Sequence, residues 1–123
     1  MYRFFRVLRG DEVKHTESIK KNYEFKRLYK SGKSFVNSVL AIYVRKNRLD
    51  HNRVGITVTV KLGSAPVRNK VRRRIKEAYR INEQTFMTGF DIVIVARQKA
   101  VTSDFHKIES ALLSLFSQMG VLL

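Results

Sequence analysis

A chain of 123 residues supplies one domain and not two, and 44% hydrophobic residues, with eight Phe and five Tyr, are enough for a real core. Its 25 Lys and Arg against 10 Asp and Glu leave a net charge of +15, which calls for a polyanionic partner. With no Cys, disulfides and thiolate metal sites are excluded, and no apolar run nears the roughly 18 residues of a membrane span.

Residues 1–17 mix aromatics, arginines, Gly10 and acidic residues without a usable period, so a mobile extension is expected there, ahead of a single domain over 18–123. Arg3, Arg6 and Arg9 divide the apolar start, which rules out a signal peptide's core. A membrane-surface role for residues 1–9 is the weaker alternative, because the segment is short and lacks a sustained helical stripe. A soluble, cytoplasmic protein is the expectation.

From Ser18 onward, Ile19, Tyr23, Phe25, Leu28 and Tyr29 recur at spacings that suit a short helix ended by Ser31-Gly32. Lys20, Lys21, Lys26, Arg27 and Lys30 surround that stripe. Residues 33–45 read as extended chain, with Asn37-Ser38 as a point where it divides into two strands. A polar turn over 46–52 leads to 53–60, where Val54, Ile56, Val58 and Val60 alternate with Arg53, Gly55, Thr57 and Thr59. This is the pattern of a strand with one face buried.

After the link Lys61-Leu62-Gly63-Ser64, the spacing predicts a helix from about residue 65, with Pro66 in its first turn and Ser64 as cap. Val67, Val71, Ile75, Ala78 and Tyr79 form its apolar stripe, while Asn69, Arg73, Lys76 and Arg80 project from the opposite side. A merely solvated charged face would mix signs, with Glu placed about four residues before Lys or Arg. Here Arg72, Arg73 and Arg74 are consecutive and Glu77 is the lone acid, so the helix presents a surface for nucleic acid. Arg74 falls at the margin of the apolar stripe, where a snorkelling stem is expected.

The run Phe90-Asp91-Ile92-Val93-Ile94-Val95-Ala96 predicts a strand buried on both faces. Ser103 or Asp104 can cap a last helix, in which Phe105, Ile108, Leu112, Leu115, Phe116 and Met119 repeat before Gly120. The order is helix, two or three strands, helix, strand, helix, and an α+β sandwich of one sheet with helices packs it most simply.

No self-sufficient active site is legible. His15, His51 and His106 are far apart, with no second ligand at metal spacing, and no pair of carboxylates is set up for acid and base work. The serines lack a nucleophile elbow, and Gly63-Ser64 is not part of a phosphate loop. What the chain offers is positive charge interleaved with rings. Tyr23, Phe25 and Tyr29 on the first helix, the last two four residues apart on one face, together with Phe35 and Tyr43, could stack unpaired bases beside phosphate-binding cations; the competing role for each ring is core.

Several ordered motifs, Lys20-Lys21-Asn22-Tyr23-Glu24-Phe25, Tyr29-Lys30-Ser31-Gly32-Lys33-Ser34, Val54-Gly55-Ile56-Thr57-Val58, Lys61-Leu62-Gly63-Ser64-Ala65, Arg68-Asn69-Lys70-Val71-Arg72-Arg73 and Asp91-Ile92-Val93-Ile94-Val95-Ala96-Arg97, resemble the protein subunit of bacterial ribonuclease P. The resemblance runs from about Ile19 to about Phe116. It implies a two-layer sandwich with a four-stranded sheet and three helices in the order α-β-β-β-α-β-α, like the second domain of ribosomal protein S5. A left-handed crossover around the central helix comes with it, against the general rule for parallel strands.

The resemblance also assigns roles. Arg68, Asn69, Lys70, Arg72, Arg73 and Lys76, joined by Lys61, would face the catalytic RNA; Phe25, Tyr29 and Tyr43 would line a cleft for the single-stranded 5′ leader of precursor tRNA. Catalysis would rest with the RNA and with Mg²⁺ held mainly by it, with no organic cofactor and no protein partner required. Val60, Pro66, Lys70 and Arg74 depart from the family pattern, and Lys70 in place of an arginine loses the planar fork that grips phosphate at two points. The residues alone leave open a structural RNA-binding protein, such as a ribosomal component, and a helix-based DNA-binding module.

Overall fold

A computed structural model describes residues 16–120. In chain order the elements are β1 (Glu17–Ser18), α1 (Asn22–Ser31), β2 (Lys33–Val36), β3 (Leu40–Lys46), β4 (Arg53–Thr57), α2 (Ala65–Asn82), β5 (Phe90–Ala96) and α3 (Phe105–Met119). Short 3-10 turns lie at Val60–Leu62, Glu83–Thr85 and Gln98–Thr102. The sheet has the order β1-β4-β5-β3-β2. β4 runs parallel to β5 and is joined to it through α2, while β3 pairs antiparallel with both β5 and β2.

The apolar run of β5 is explained by its place. It lies inside the sheet with helices over both faces, so Ile92, Val93, Ile94 and Ala96 are buried whichever way they point. Ile92 and Ile94 join Leu40, Ile42 and Val44 on the face covered by α2 and α3, where Val71, Ile75, Ala78, Ile108, Leu112, Leu115 and Phe116 complete the main core. Val93 points the other way, into a smaller cluster with Ile19 and Leu28 beneath α1, against which Phe25, Tyr43 and Val95 pack. Each fully buried Leu, Ile or Phe contributes roughly 1.5–3 kcal/mol, and most of that burial holds α2 to the sheet and to α3.

Several expectations need correction. The sheet has five strands, not four: Glu17–Ser18 pairs in parallel with β4, so Thr16 and Glu17, assigned by sequence to the extension, belong to the folded domain. The rest of that extension, with the membrane-surface alternative and His15, lies outside the described residues. Ile19 precedes α1 and is buried, whereas Tyr23 is 56% exposed and is no part of the apolar stripe. Strand β4 ends at Thr57 and Val60 is 73% exposed in a 3-10 turn, so the alternation overran the strand. Its polar-looking face is also covered, because α1 lies over it and Gly55 is buried.

The helix ends follow the expected chemistry with one exception. Asp104 caps α3 by accepting from the Lys107 amide at 2.9 Å, and Gly120 closes it with a left-handed φ of 76°. Ser64 occupies the cap position of α2 but makes no side-chain cap hydrogen bond. Arg74 is half-buried, and its Nη1 donates to the Ser103 carbonyl at 2.8 Å, which is the resolution of its marginal position on the stripe.

Candidate nucleic-acid interface

The cations are of two kinds, a few bound by carboxylates and the rest without an ion pair among the described residues. Arg53, at the start of β4, is encircled: Nη2 lies 2.5 Å from Glu24, Nε 3.4 Å from Glu17 and Nη1 3.5 Å from Asp91. It ties β1, α1 and β5 to one guanidinium. Its hydrogen bond holds the Glu24 carboxyl below the usual carboxylate range, and the same bond raises the pKa of Arg53 itself. Next to it His51 reaches both Asp50 and Glu17, at 2.9 and 3.0 Å, and those two bonds raise its pKa.

Other polar groups under this region are also committed. Asn52, 3% exposed, donates to the Met87 carbonyl and accepts from the Phe90 amide, which fastens the loop before β5. The Tyr79 hydroxyl meets Thr16 at 2.8 Å, and burial pushes its pKa up to about 12. Thr16 also donates to Glu83, and Glu109 accepts from Asn82. Every carboxylate among the described residues therefore has a hydrogen-bonding or ionic partner.

The outer face of α2 is different. Arg80 is bound by Glu77 at 2.6 Å, but Lys70, Arg73 and Lys76 form no ion pair among the described residues. Arg72 donates to Asn69 Oδ1 at 2.9 Å, and Arg68 Nε donates to the Gly63 carbonyl at 3.1 Å. Those bonds aim the two side chains without neutralising them. Gly63 itself takes φ 148°, a conformation that suits glycine, and so turns the link carrying exposed Lys61 into α2.

A groove of about 360 Å³ opens beside α2, with Phe25, Gly55 and Ile56 on one side and Arg72, Lys76 and Arg80 on the other. Gly55 makes it possible, since a Cβ there would sit 2.6 Å from the Phe25 ring. Phe25 is thus both half-buried against the smaller core and a wall of the groove. Tyr29 lies 6.5 Å from Phe25 and 5.0 Å from Tyr43, edge to face, and its hydroxyl meets Thr57 at 2.8 Å. These two rings extend the row away from the groove and do not line it. Arg73 lies on the far side of α2, and Lys61, Arg68, Asn69 and Lys70 stand near its start.

Sequence reasoning missed the cluster around Arg53, because an arginine at an outward position of a strand looks solvated until α1 and β1 are folded over it. It also missed Asn52, for which no pattern exists. Among the described residues no group of three or more His, Cys, Asp or Glu is placed to hold a metal ion, and no helix is long and apolar enough to cross a membrane.

An α+β domain that neutralises its sheet-side arginine, leaves Lys70, Arg73 and Lys76 of one helix without an ion pair among the described residues and sets a groove walled by Phe25 beside that helix is a nucleic-acid-binding module. The ribonuclease P family model matches residues 13–120, and the chain belongs to that family. It is 45% identical over 104 residues to the ribonuclease P protein component of Clostridium botulinum (strain 657 / Type Ba4), covering 84% of this chain and 94% of that one. The Staphylococcus aureus RNase P protein structure superposes with a TM-score of 0.79 at 36% identity, covering 86% of this chain and 97% of the other. For the Thermotoga maritima RNase P protein the values are 0.77, 35%, 83% and 96%. The family role is that of an RNA-binding accessory subunit in an endoribonuclease ribonucleoprotein that processes tRNA.

Proposed function

We propose that α2 lies against the catalytic RNA of ribonuclease P while the groove beside it takes the single-stranded 5′ leader of precursor tRNA. The reading is carried by one juxtaposition: Phe25 shares a groove with Arg72 and Lys76. A ring stacks an unpaired base of any identity and the cations meet its phosphates, so the leader is held without sequence preference. Tyr29 and Tyr43 continue the stacking row along the sheet. Arg68, Asn69, Lys70, Arg73 and Lys61 present donors to folded RNA from the other parts of α2 and its entry turn.

The division of labour follows from charge. Two RNAs repel each other, and a protein with net charge +15 placed between them screens that repulsion. Mg²⁺ held mainly by the RNA supplies the hydrolytic chemistry, which takes place in the cytoplasm. This chain's part is to raise the affinity for precursor tRNA and lower the Mg²⁺ concentration that cleavage needs. The experiment is leader removal by a bacterial ribonuclease P RNA at low Mg²⁺. Addition of the chain should restore cleavage, and no gain would eliminate the proposal in favour of a purely structural RNA-binding role.

A further inference from the structure

The far side of α2 carries a second groove, of about 410 Å³, lined by Arg73, Arg74, Lys76, Glu77, Arg80 and Phe105. It shares Lys76 and Arg80 with the first groove, so α2 is a ridge between two channels. Their apolar walls differ: Phe25 on one side, Phe105 on the other. The leader reading uses only the first.

The charge in the second groove is available. Glu77, its one carboxylate, accepts from Arg80 Nε at 2.9 Å and Nη2 at 2.6 Å, which leaves Arg73 and Lys76 with no ionic partner among the described residues. The walls are also tied together. Arg74 spans from α2 to the Ser103 carbonyl, one residue ahead of the Asp104 cap of α3, so the first turn of α3 is held against α2 before any ligand arrives. Phe105 is the first residue of that turn and is half-buried, with the His106 ring edge-on to it at 5.6 Å.

An apolar wall a single ring wide is too small for a partner helix, which needs anchors on successive turns. A ring flanked by guanidinium and ammonium groups fits a flat base attached to a phosphate, and 410 Å³ lies within the roughly 300–1,000 Å³ of pockets that hold small ligands. We infer that this groove captures one unpaired nucleotide of the catalytic RNA, its base stacked on Phe105 and its phosphate on Arg73, with Lys76 on the ridge shared by the two channels. The inference rests on the subunit reading above and adds to it a stacking residue on the opposite side of α2 from the leader.

The test uses the full chain and a bacterial ribonuclease P RNA without substrate, comparing wild type with Phe105→Leu and Phe105→Tyr. The Leu variant keeps an apolar wall and loses the π-face; Tyr keeps both. Phe105→Leu should weaken RNA binding about tenfold and Phe105→Tyr by less than about twofold; in a second assay, on the assembled ribonucleoprotein with both tRNAs, the preference for precursor over mature tRNA should be unchanged in both variants. A Leu variant that binds as tightly as wild type overturns the inference, as does an equal loss in both variants or a loss that tracks a lowered melting temperature. So does displacement of the RNA by polyglutamate at equal charge concentration, which would mark a groove for acidic protein. A wild-type chain that binds no ribonuclease P RNA sinks the subunit reading as well, whereas wild-type binding with a silent Leu variant removes only the groove.

Discussion

Arg53 on the sheet and Arg73 on the outer face of α2 stand in opposite surroundings. The first is surrounded by Glu17, Glu24 and Asp91, with its side chain 18% exposed; the second is exposed on α2 and forms no ion pair among the described residues, its neighbour Glu77 being bound by Arg80. A net charge of +15 is therefore not spread evenly. Sheet-side acids are gathered on a guanidinium that joins strands to a helix, whereas Lys70, Arg73 and Lys76 of α2 form no ion pair among the described residues. Positive charge marks a binding surface only where the fold has withheld its acids.

The contrast is sharpest in stability. Arg53→Met would leave three carboxylates facing one another, and thermal unfolding should show a loss of about 2–3 kcal/mol, discounted from the cost of breaking a fully buried pair. RNA binding measured on the fraction still folded should keep its salt dependence. A loss confined to RNA affinity would move Arg53 into the interface and erase the distinction.

Gly55→Ala tests the wall between the two regions. A Cβ 2.6 Å from the Phe25 ring must displace it, at a cost of about 1–2 kcal/mol, and pairing the change with Phe25→Leu should recover part of that loss in a double-mutant cycle. Strict additivity would mean that the ring does not rest on Gly55. Phe25→Ala should reduce the preference for precursor over mature tRNA by on the order of 1 kcal/mol, a ratio that cancels any general loss of folding. Equal losses for both RNAs would leave Phe25 a core residue only.

The smallest effect belongs to His51. Its pKa is raised by Asp50 and Glu17, so its contribution to stability is complete below the unfolded value near 6.5 and fades as pH rises through the higher folded value. His51→Asn should flatten the stability profile over that window and leave RNA binding at neutral pH unchanged. A profile identical to wild type would show that the histidine makes no use of its two carboxylates.

Much of this arrangement was legible in the sequence, for physical reasons that differ by element. The apolar period of α2, the continuous run of β5 and the Asp104 and Gly120 signals of α3 all report local geometry, and each element formed where those signals lie. Local geometry also explains the failures. Val60 continues an alternation that the backbone abandons at Thr57, and Tyr23 sits one turn from a stripe that it does not join. Arg53 and Asn52 draw their roles, and His51 its second carboxylate, from partners tens of residues away, and no window on the chain contains those partners. The candidate leader residues were found by charge and ring spacing together with the family resemblance; that Phe25 alone of the three rings reaches the α2 groove required coordinates.

The salt dependence of catalytic-RNA binding tests the central claim most directly, using Arg68→Gln, Lys70→Gln and Arg73→Gln combined in one chain. Each lost phosphate contact should flatten the plot of log affinity against log salt by about 0.7–0.9 units, so the triple variant should lose about 2–3 units of slope while its melting temperature stays near wild type. An unchanged slope in a folded triple variant would mean that α2 touches no phosphate, and the interface described for it would be wrong.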